Sequence, residues 1–265
     1  MPVKRSLALA LVVALASPAR GAEPPIPLQY NLALDASITG ALGLSVVLLS
    51  IYQPGLLPES CHWCTPPAID ADVRNALVWK GGERTADILS TVIDAVVPAS
   101  AVTYLLLSAN AGGDFNAGLV DSLLVTQATA AALLVNQVVK LLVGRQRPYA
   151  HFGNDLGYSR SEDNLSFYSG HTSFAFSVVA ATVTVASMRG YAGTGIVAGV
   201  GFTLGACISY LRIAADQHYL TDNLVGAVIG GLVGFAVPRI FHSPSPQPST
   251  GSALRAPAFS FQFAF

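Results

Sequence analysis

The chain has 265 residues, of which 52% are hydrophobic and only 11% are charged, with a formal net charge of −1. A soluble domain carries about 25% charged residues, so this composition excludes an ordinary water-exposed surface. A net charge so close to zero gives no electrostatic basis for binding nucleic acid. We therefore expect one domain that lies mostly in lipid.

Residues 1–22 have the features of a secretion signal. The basic pair Lys4-Arg5 precedes a short apolar run, and small residues follow it up to residue 22. A signal peptidase recognises this pattern. We predict a signal peptide over residues 1–22 and a membrane domain over residues 23–241.

Six long runs contain no Asp, Glu, Lys or Arg, and they cover residues 36–58, 95–113, 122–139, 172–188, 192–211 and 223–238. A membrane-spanning helix needs about 20 mostly apolar residues, so each run, with its flanks, predicts one span. The predicted fold class is all-α, a six-helix membrane bundle. The alternative is a soluble all-α enzyme that buries the same helices in its interior.

Small and polar residues within the predicted helices, which extend beyond the charge-free runs, indicate how the helices meet. Pairs of glycines at four-residue spacing let helix backbones approach closely in lipid; they are Gly195/Gly199, Gly201/Gly205 and Gly226/Gly230. Polar side chains are costly in hydrocarbon and should face the bundle interior or its aqueous end; they are Asp87, Asp94, Asp121, Gln127, Asn136 and Gln137. We interpret Asn136 and Gln137 as packing between helices, and direct contact with a substrate is the alternative.

Residues 53–83 read as a polar loop that holds Cys61 and Cys64 in the sequence CHWC. This spacing suits a disulfide, a metal site or a redox pair. Zinc would need further ligands, and a thioredoxin-like site would need a βαβ context that this sequence does not offer. We predict a structural disulfide, which requires an oxidising compartment.

Three polar clusters follow, each at a predicted helix end. They are Lys140 with Arg147-Pro148 in KLLVGRQRP, Ser169-Gly170-His171 in YSGH, and Arg212, His218 and Asp222 in RIAADQHYLTD. Three Lys and Arg side chains can neutralise a phosphoryl group. One histidine can attack phosphorus while the other protonates the departing oxygen. Three cations and two histidines in these clusters together predict a phosphate site.

Each of these residues also has a structural interpretation when it is taken alone. Lys140 would be an interfacial anchor, Ser169 a helix N-cap, and His218 with Asp222 an ordinary i,i+4 pair. The conjunction of all of them in this order favours the phosphate site. The clusters fall on alternate helix ends and therefore lie on one side of the membrane. The connection over residues 144–168 reads as an active-site loop.

The clusters resemble the signature of the type 2 phosphatidic acid phosphatase (PAP2) superfamily, which vanadium haloperoxidases share. That signature reads K-x6-R-P, then P-S-G-H, then S-R-x5-H-x3-D, and the resemblance spans about residues 116–238, the expected catalytic core. Two positions depart from it. Tyr168 stands where the family has proline, and Leu211 stands where it has serine.

The resemblance implies a six-helix PAP2-type bundle and a membrane phosphatase that hydrolyses a lipid phosphomonoester or diphosphate through a phosphohistidine. It implies that His218 is the nucleophile, that His171 is the general acid and base, and that Asp222 orients His218. The implied phosphate-binding residues are Lys140, Arg147, Ser169, Gly170 and Arg212. Three fixed cations would supply the charge that a metal supplies elsewhere, so we expect no metal or cofactor.

Three alternatives remain at this point: a vanadate-dependent haloperoxidase, a phosphotransferase acting on lipid headgroups, and a non-catalytic lipid-phosphate-binding protein. The expected partner is a lipid phosphate in the bilayer of a bacterial-type cell membrane, with the site on the periplasmic face. Two crossings separate the cysteine loop from the catalytic loop, so both should lie on that face. Residues 242–265 form a Pro/Ser-rich tail with a terminal Phe-rich segment.

Overall fold

The protein is an all-helical bundle in a computed structural model that describes residues 23–56, 60–154 and 156–245. Its helices are α1 (Leu32–Leu56), α2 (Ala68–Leu77), α3 (Glu83–Ala111), α4 (Phe115–Val143), α5 (Pro148–His151), α6 (Gly170–Arg189), α7 (Thr194–Ala214) and α8 (Leu220–Phe241), with a 3-10 turn at Arg160–Glu162. Within these ranges six helices, α1, α3, α4, α6, α7 and α8, are long and apolar enough to cross a membrane. The predicted six-helix membrane bundle is confirmed. The predicted signal over residues 1–22 and the tail beyond residue 245 lie outside the described residues.

The helices that carry the polar clusters end sharply because their sequences supply caps. The Asp114 carboxylate accepts a hydrogen bond from the Ala117 N–H at the start of α4, at 3.0 Å, as an N-cap should. Gly144 ends α4 and Gly190 ends α6 in the left-handed conformation, with φ of 54° and 76°, which glycine adopts without strain. The Gly144 cap sets where the loop to Arg147 begins, whereas Asp114 and Gly190 cap the opposite end of the bundle.

Helix α6 is the central and most buried span, and it packs most extensively on α8. The approach is close because α8 presents Gly226, Gly230 and Gly234 to the α6 backbone. A Cβ added at Gly230 would lie 2.8 Å from the Cα of Ser173, a distance that real Cβ atoms do not adopt. The predicted close approach at Gly226/Gly230 is therefore confirmed.

The other glycine pairs divide into one that packs and one that does not. Gly201 and Gly205 of α7 face side chains of α6, namely Val179 and Phe176. Gly195 and Gly199 have no described atom within 4 Å of an added Cβ, so the expectation of close packing there is wrong. That turn of α7 lies on the outer face of the bundle.

Three of the six polar residues within the spans are fully buried, as predicted: Asp121, Gln127 and Asn136. Asp121 accepts hydrogen bonds from the Arg189 Nε at 2.8 Å and from the Tyr191 hydroxyl at 2.6 Å. This ion pair lies at the end of the bundle where α4 begins and α6 ends. It fixes the end opposite the polar clusters.

The segment predicted as a loop over residues 53–83 contains a helix, α2, which begins directly after Pro67. Cys61 and Cys64 form the predicted disulfide just before it. The His62 N–H donates to the Gly144 carbonyl at 3.0 Å, which confirms that the cysteine loop and the catalytic loop share one end of the bundle. Two polar residues of α2 spaced one turn apart are buried there, Asp70 and Arg74.

Candidate active site

Five of the predicted site residues converge at that end of the bundle. The positive charges of Arg147, Arg212 and Lys140, and the imidazole of His171, all act on the buried imidazole of His218. The same three cations also act on His171. Three separate loops and helix ends therefore contribute positive charge to one region of the bundle.

His218 is 1% exposed and is held through its Nδ1 atom. Nδ1 lies 2.7 Å from the backbone carbonyl oxygen of Ser166. A carbonyl only accepts hydrogen bonds, so Nδ1 carries the proton and Nε2 keeps its lone pair. The Asp222 carboxylate, expected to orient the ring directly, is 3.7 Å from Nδ1. Its connection to the ring runs through Ser166, whose hydroxyl donates to Asp222 Oδ2 at 2.5 Å.

The electrostatic environment keeps the His218 ring neutral. Burial comes first, and the nearby charges of Arg147, Arg212 and Lys140 add to it, so that the pKa of His218 is held well below its ordinary value of 6.5. Protonation would place a further positive charge among existing ones in a poorly solvated position. The ring is therefore a neutral imidazole at neutral pH, with its one proton on Nδ1, the form that a nucleophile requires.

The first turn of α6 lies against the end of α4. A Cβ added at Gly170 would meet Asn136 Oδ1 at 3.1 Å and Lys140 Nζ at 3.5 Å, so the ammonium group sits beside this helix start. The N–H groups of Gly170 and His171 precede the first internal hydrogen bond of α6, which is the arrangement that binds anions. Asn136 also donates to the Tyr168 carbonyl at 2.8 Å, so it packs between helices and holds the YSGH backbone.

The structure differs from expectation at Ser169, which was expected to bind phosphate. Its hydroxyl caps α6, accepting from the Thr172 N–H at 3.4 Å and donating to Thr172 Oγ1 at 3.1 Å. Its own N–H donates to the Asp222 carbonyl at 3.1 Å. Both donors are committed because the residue joins α6 to α8. Ser169 therefore positions the start of α6.

Arg147 reaches the His218 loop from the N-cap of α5. One terminal nitrogen donates to the Gln217 side-chain carbonyl, next to His218 in the chain. Nε donates to the backbone carbonyl of Glu162 at 3.0 Å, and the Glu162 carboxylate is 4.0 Å away. Hydrogen bonds thus hold the guanidinium of Arg147 in position, and the side chain is buried.

Two residues of α3 hold the Arg212 side chain in position. Its Nη1 pairs with Asp87 and donates to the Ser90 hydroxyl at 3.1 Å. The Tyr158 hydroxyl donates to the other Asp87 oxygen at 2.8 Å, which fixes the carboxylate. Nε of Arg212 is buried and has no hydrogen-bond partner among the described residues, so it is available to an anion.

Several residues at the site were not singled out from the sequence. Asp70 and Arg145 contact Asp222 or its neighbours, and Ser166 holds His218. Asp87, which was expected to face the bundle interior or its aqueous end, pairs with Arg212. One signal was present in the sequence: Asp70 and Arg74 are four residues apart after Pro67, the spacing of one helix face. Within the described residues no group of three His, Cys, Asp or Glu side chains is placed to hold a metal.

The comparison with protein families agrees with the motif interpretation. Residues 121–245 match the family model described as the PAP2 superfamily, which confirms the resemblance over the catalytic core. Among solved structures, the chain is similar to a transmembrane PAP2-type phosphatidylglycerolphosphate phosphatase from Bacillus subtilis, with 19% sequence identity, 90% of this chain and 96% of that chain covered, and a TM-score of 0.39. No curated protein matches the chain significantly.

Proposed function

Because residues 121–245 of this chain carry the PAP2 superfamily pattern, we propose that the protein is a membrane phosphatase that hydrolyses a lipid phosphomonoester or diphosphate. The observation that carries the proposal is the convergence of His218, His171 and three cations at one end of a membrane bundle. Binding an anion alone would need the cations but neither a neutral buried imidazole nor a second histidine beside it.

In the first step the free Nε2 of His218 attacks the phosphorus atom of the substrate. A P–N bond forms and the P–O bond to the lipid alcohol breaks, while His171 donates a proton to the departing oxygen. The Ser166 carbonyl accepts a hydrogen bond from Nδ1–H, with 2.7 Å between the nitrogen and the oxygen. It thereby stabilises the positive charge that develops on the ring. This is the orienting role that a carboxylate plays in hydrolase triads.

In the second step His171, now neutral, takes a proton from a water molecule that attacks the phosphohistidine. The P–N bond breaks, inorganic phosphate leaves, and both histidines return to their starting states. The same three cations act on both imidazoles, and the negative charge of a bound phosphoryl group would offset them, so that His171 can carry the proton that it donates.

The phosphoryl oxygens would be held by Lys140, Arg147 and Arg212 and by the N–H groups of Gly170 and His171. The buried Nε of Arg212, which has no partner among the described residues, supports a direct contact with an oxygen. Fixed cations in a poorly solvated pocket stabilise the charge of the transition state strongly. We therefore expect turnover in the presence of a chelator.

The site lies at a helix-end surface of a six-span bundle, which suits a substrate whose headgroup reaches the interface while its tail stays in the bilayer. We place this surface on the periplasmic face of a bacterial-type membrane. The Cys61–Cys64 disulfide lies at the same end, and disulfides persist in oxidising compartments. If these cysteines were reduced in cells and reacted only with a membrane-permeant thiol reagent, this placement would be wrong.

The purified full-length protein in detergent tests the proposal directly. It would be incubated with phosphatidate, phosphatidylglycerophosphate and undecaprenyl diphosphate, with and without EDTA, and released phosphate would be measured. We expect release from at least one lipid that EDTA does not reduce and that His218→Ala abolishes. Halide oxidation that requires added vanadate would favour the haloperoxidase alternative, and transfer of phosphate to a second lipid would favour the phosphotransferase.

A further inference from the structure

Arg145, two residues before the predicted phosphate ligand Arg147, is a fully buried cation at the centre of an ion-pair network. It is 1% exposed. Its Nη1 pairs with the Asp222 carboxylate and donates to the Thr221 hydroxyl at 2.8 Å, and its Nη2 pairs with Asp70 Oδ2 at 2.7 Å. A single guanidinium thus joins α2 to the start of α8.

Arg145 also connects to His218 through two groups of Ser166, its backbone N–H and its side-chain hydroxyl. Its backbone carbonyl accepts the Ser166 N–H at 3.0 Å, and its side chain holds the Asp222 carboxylate that accepts the Ser166 hydroxyl at 2.5 Å. The carbonyl of the same Ser166 is the partner of His218 Nδ1. Arg145 therefore fixes the peptide that sets the tautomer and the direction of the His218 ring.

Two aromatic rings contact the guanidinium of Arg145. Its central carbon lies 3.9 Å from the centre of the Trp63 ring and 4.4 Å from that of Tyr219, distances at which cation–π attraction operates. Trp63 belongs to the disulfide loop, and its carbonyl accepts the Gln146 N–H at 3.1 Å. The disulfide loop is therefore docked on the residues on either side of Arg145.

Helix α2 secures the same network from the other side. The Asp70 carboxylate accepts from the Thr221 N–H at 2.9 Å and from its hydroxyl at 2.6 Å. Arg74, one turn later, donates to the two Asp216 oxygens at 2.7 and 2.5 Å. Asp216 and Thr221 are on either side of His218 in the chain, so α2 holds both ends of the loop that carries the histidine.

Charge and shape make Arg145 difficult to replace. Asp70 and Asp222 are both 0% exposed, and a buried carboxylate that loses its cation is strongly destabilised. Only a planar fork with several donors can reach both carboxylates and the Thr221 hydroxyl from one position, and a lysine ammonium cannot.

We propose that Arg145 is a positioning residue for His218, acting through Asp222 and Ser166, and that Asp70 and Trp63 hold Arg145 in place. The inference rests on the proposed function of His218 as the nucleophile. Residues 60–77, which lie outside the region that matches the family, then form part of the catalytic apparatus of this chain without touching the substrate.

The test compares Arg145→Lys with a matched control, Arg189→Lys, in the full-length protein. Arg189 is also a buried arginine, paired with Asp121 at 2.7 Å at the opposite end of the bundle. The substrate is a lipid phosphate that the wild type hydrolyses. We expect Arg145→Lys to lower kcat about 100-fold, because a small misplacement of a reacting group has an effect of this size. KM and the Ki of inorganic phosphate should stay within about threefold of the wild-type values. Arg189→Lys should keep kcat within about threefold of wild type. Equal loss in both variants would overturn the positioning role.

A second readout does not depend on turnover. In ¹⁵N-histidine NMR spectra, with the His218 signals assigned by their loss in His218→Gln, the wild type should show the Nδ1–H tautomer and Arg145→Lys a mixture of tautomers. An unchanged tautomer would overturn the proposal even if kcat fell. A wild type that shows the tautomer but hydrolyses no lipid phosphate would instead count against the proposed function.

Trp63 supplies a further pair of variants should Arg145→Lys fail to fold. Trp63→Leu removes the ring above Arg145 but leaves its ion pairs, whereas Trp63→Phe keeps an aromatic face. We expect kcat to fall about tenfold in Trp63→Leu and to recover in Trp63→Phe, since the cation–π attraction is worth about 1–2 kcal/mol in a desolvated position. Wild-type kcat in both variants, with folding confirmed by size-exclusion chromatography, would contradict the proposal that Trp63 holds Arg145 in place.

Discussion

The Nδ1 atom of His218 lies 2.7 Å from the carbonyl oxygen of Ser166, and this contact determines which nitrogen of the ring can act as a nucleophile. Because a carbonyl accepts and never donates, the proton is on Nδ1 and the lone pair is on Nε2. A backbone group thus performs the task that Asp222 was expected to perform. Asp222 instead holds the Ser166 hydroxyl and pairs with Arg145.

The first prediction concerns pH. The pKa of His218 lies well below 6.5 because of burial and the neighbouring cations, so the neutral form is present above that low pKa and is lost only as the pH falls through it. We expect the ring to remain neutral at pH 6. Titration of the His218 ring signals by NMR checks this, and a midpoint at or above pH 6.5 would contradict the electrostatic description.

The second prediction concerns Arg212, whose Nε is buried without a described partner. Arg212→Lys keeps the positive charge but loses the fork that reaches Asp87, Ser90 and a phosphoryl oxygen together. We expect kcat to fall about 100- to 1,000-fold, the usual cost of removing one donor to a developing charge. The same change at the exposed Arg239 is the control. A fall in kcat of less than tenfold would mean that Arg212 does not contact the transferring group.

The third prediction compares two adjacent glycines of α8. A Cβ at Gly230 would lie 2.8 Å from the Cα of Ser173, whereas a Cβ at Gly231 has no described atom within 4 Å. We expect Gly230→Ala to destabilise the protein by about 1–3 kcal/mol through overpacking and to reduce activity, because it separates α6 from α8. Gly231→Ala should leave both unchanged. Equal unfolding temperatures of the two variants would show that α6 and α8 are not in backbone contact there.

The fourth prediction concerns the disulfide loop, which carries Trp63 over Arg145. Reduction of the Cys61–Cys64 bond should loosen the loop and lower kcat several-fold, and the Cys61→Ser/Cys64→Ser double variant should show the same loss without reductant. The exposed free cysteine, Cys207, is replaced by serine in a control that should respond to reductant as the wild type does. If the double variant keeps full kcat, the loop does not contribute to the site.

The sequence was sufficient for the architecture and for a set of polar groups that the fold brings together at one end of the bundle. Charge-free runs predicted the six spans because hydrocarbon excludes charges, and the described helices agree. The spacing from Lys140 to Arg147 and from Arg212 to His218 identified groups that the fold brings together. These inferences succeeded because each depends on local pattern or on strict spacing.

What the sequence did not provide were the partners that orient those groups. Arg145 pairs with Asp70 across 75 residues and Arg212 with Asp87 across 125 residues, and no periodicity connects such positions. The backbone carbonyl of Ser166 has no side-chain signature at all. Ser169 was recognised from the sequence as a possible N-cap and was assigned to the phosphate because it belongs to the motif. The hydrogen bonds to Thr172 and Asp222 that show its capping role could not be read from the sequence.

We propose that His218 becomes phosphorylated during turnover, and trapping the phosphohistidine is the sharpest test of this mechanism. The wild type and His218→Ala would be mixed rapidly with a substrate labelled in its phosphoryl group, quenched in alkaline detergent, and examined by peptide mass spectrometry. We expect an acid-labile phosphoryl group on His218 in the wild type and none in the variant. Equal labelling of His218→Ala, or hydrolysis by that variant at the wild-type rate, would contradict it.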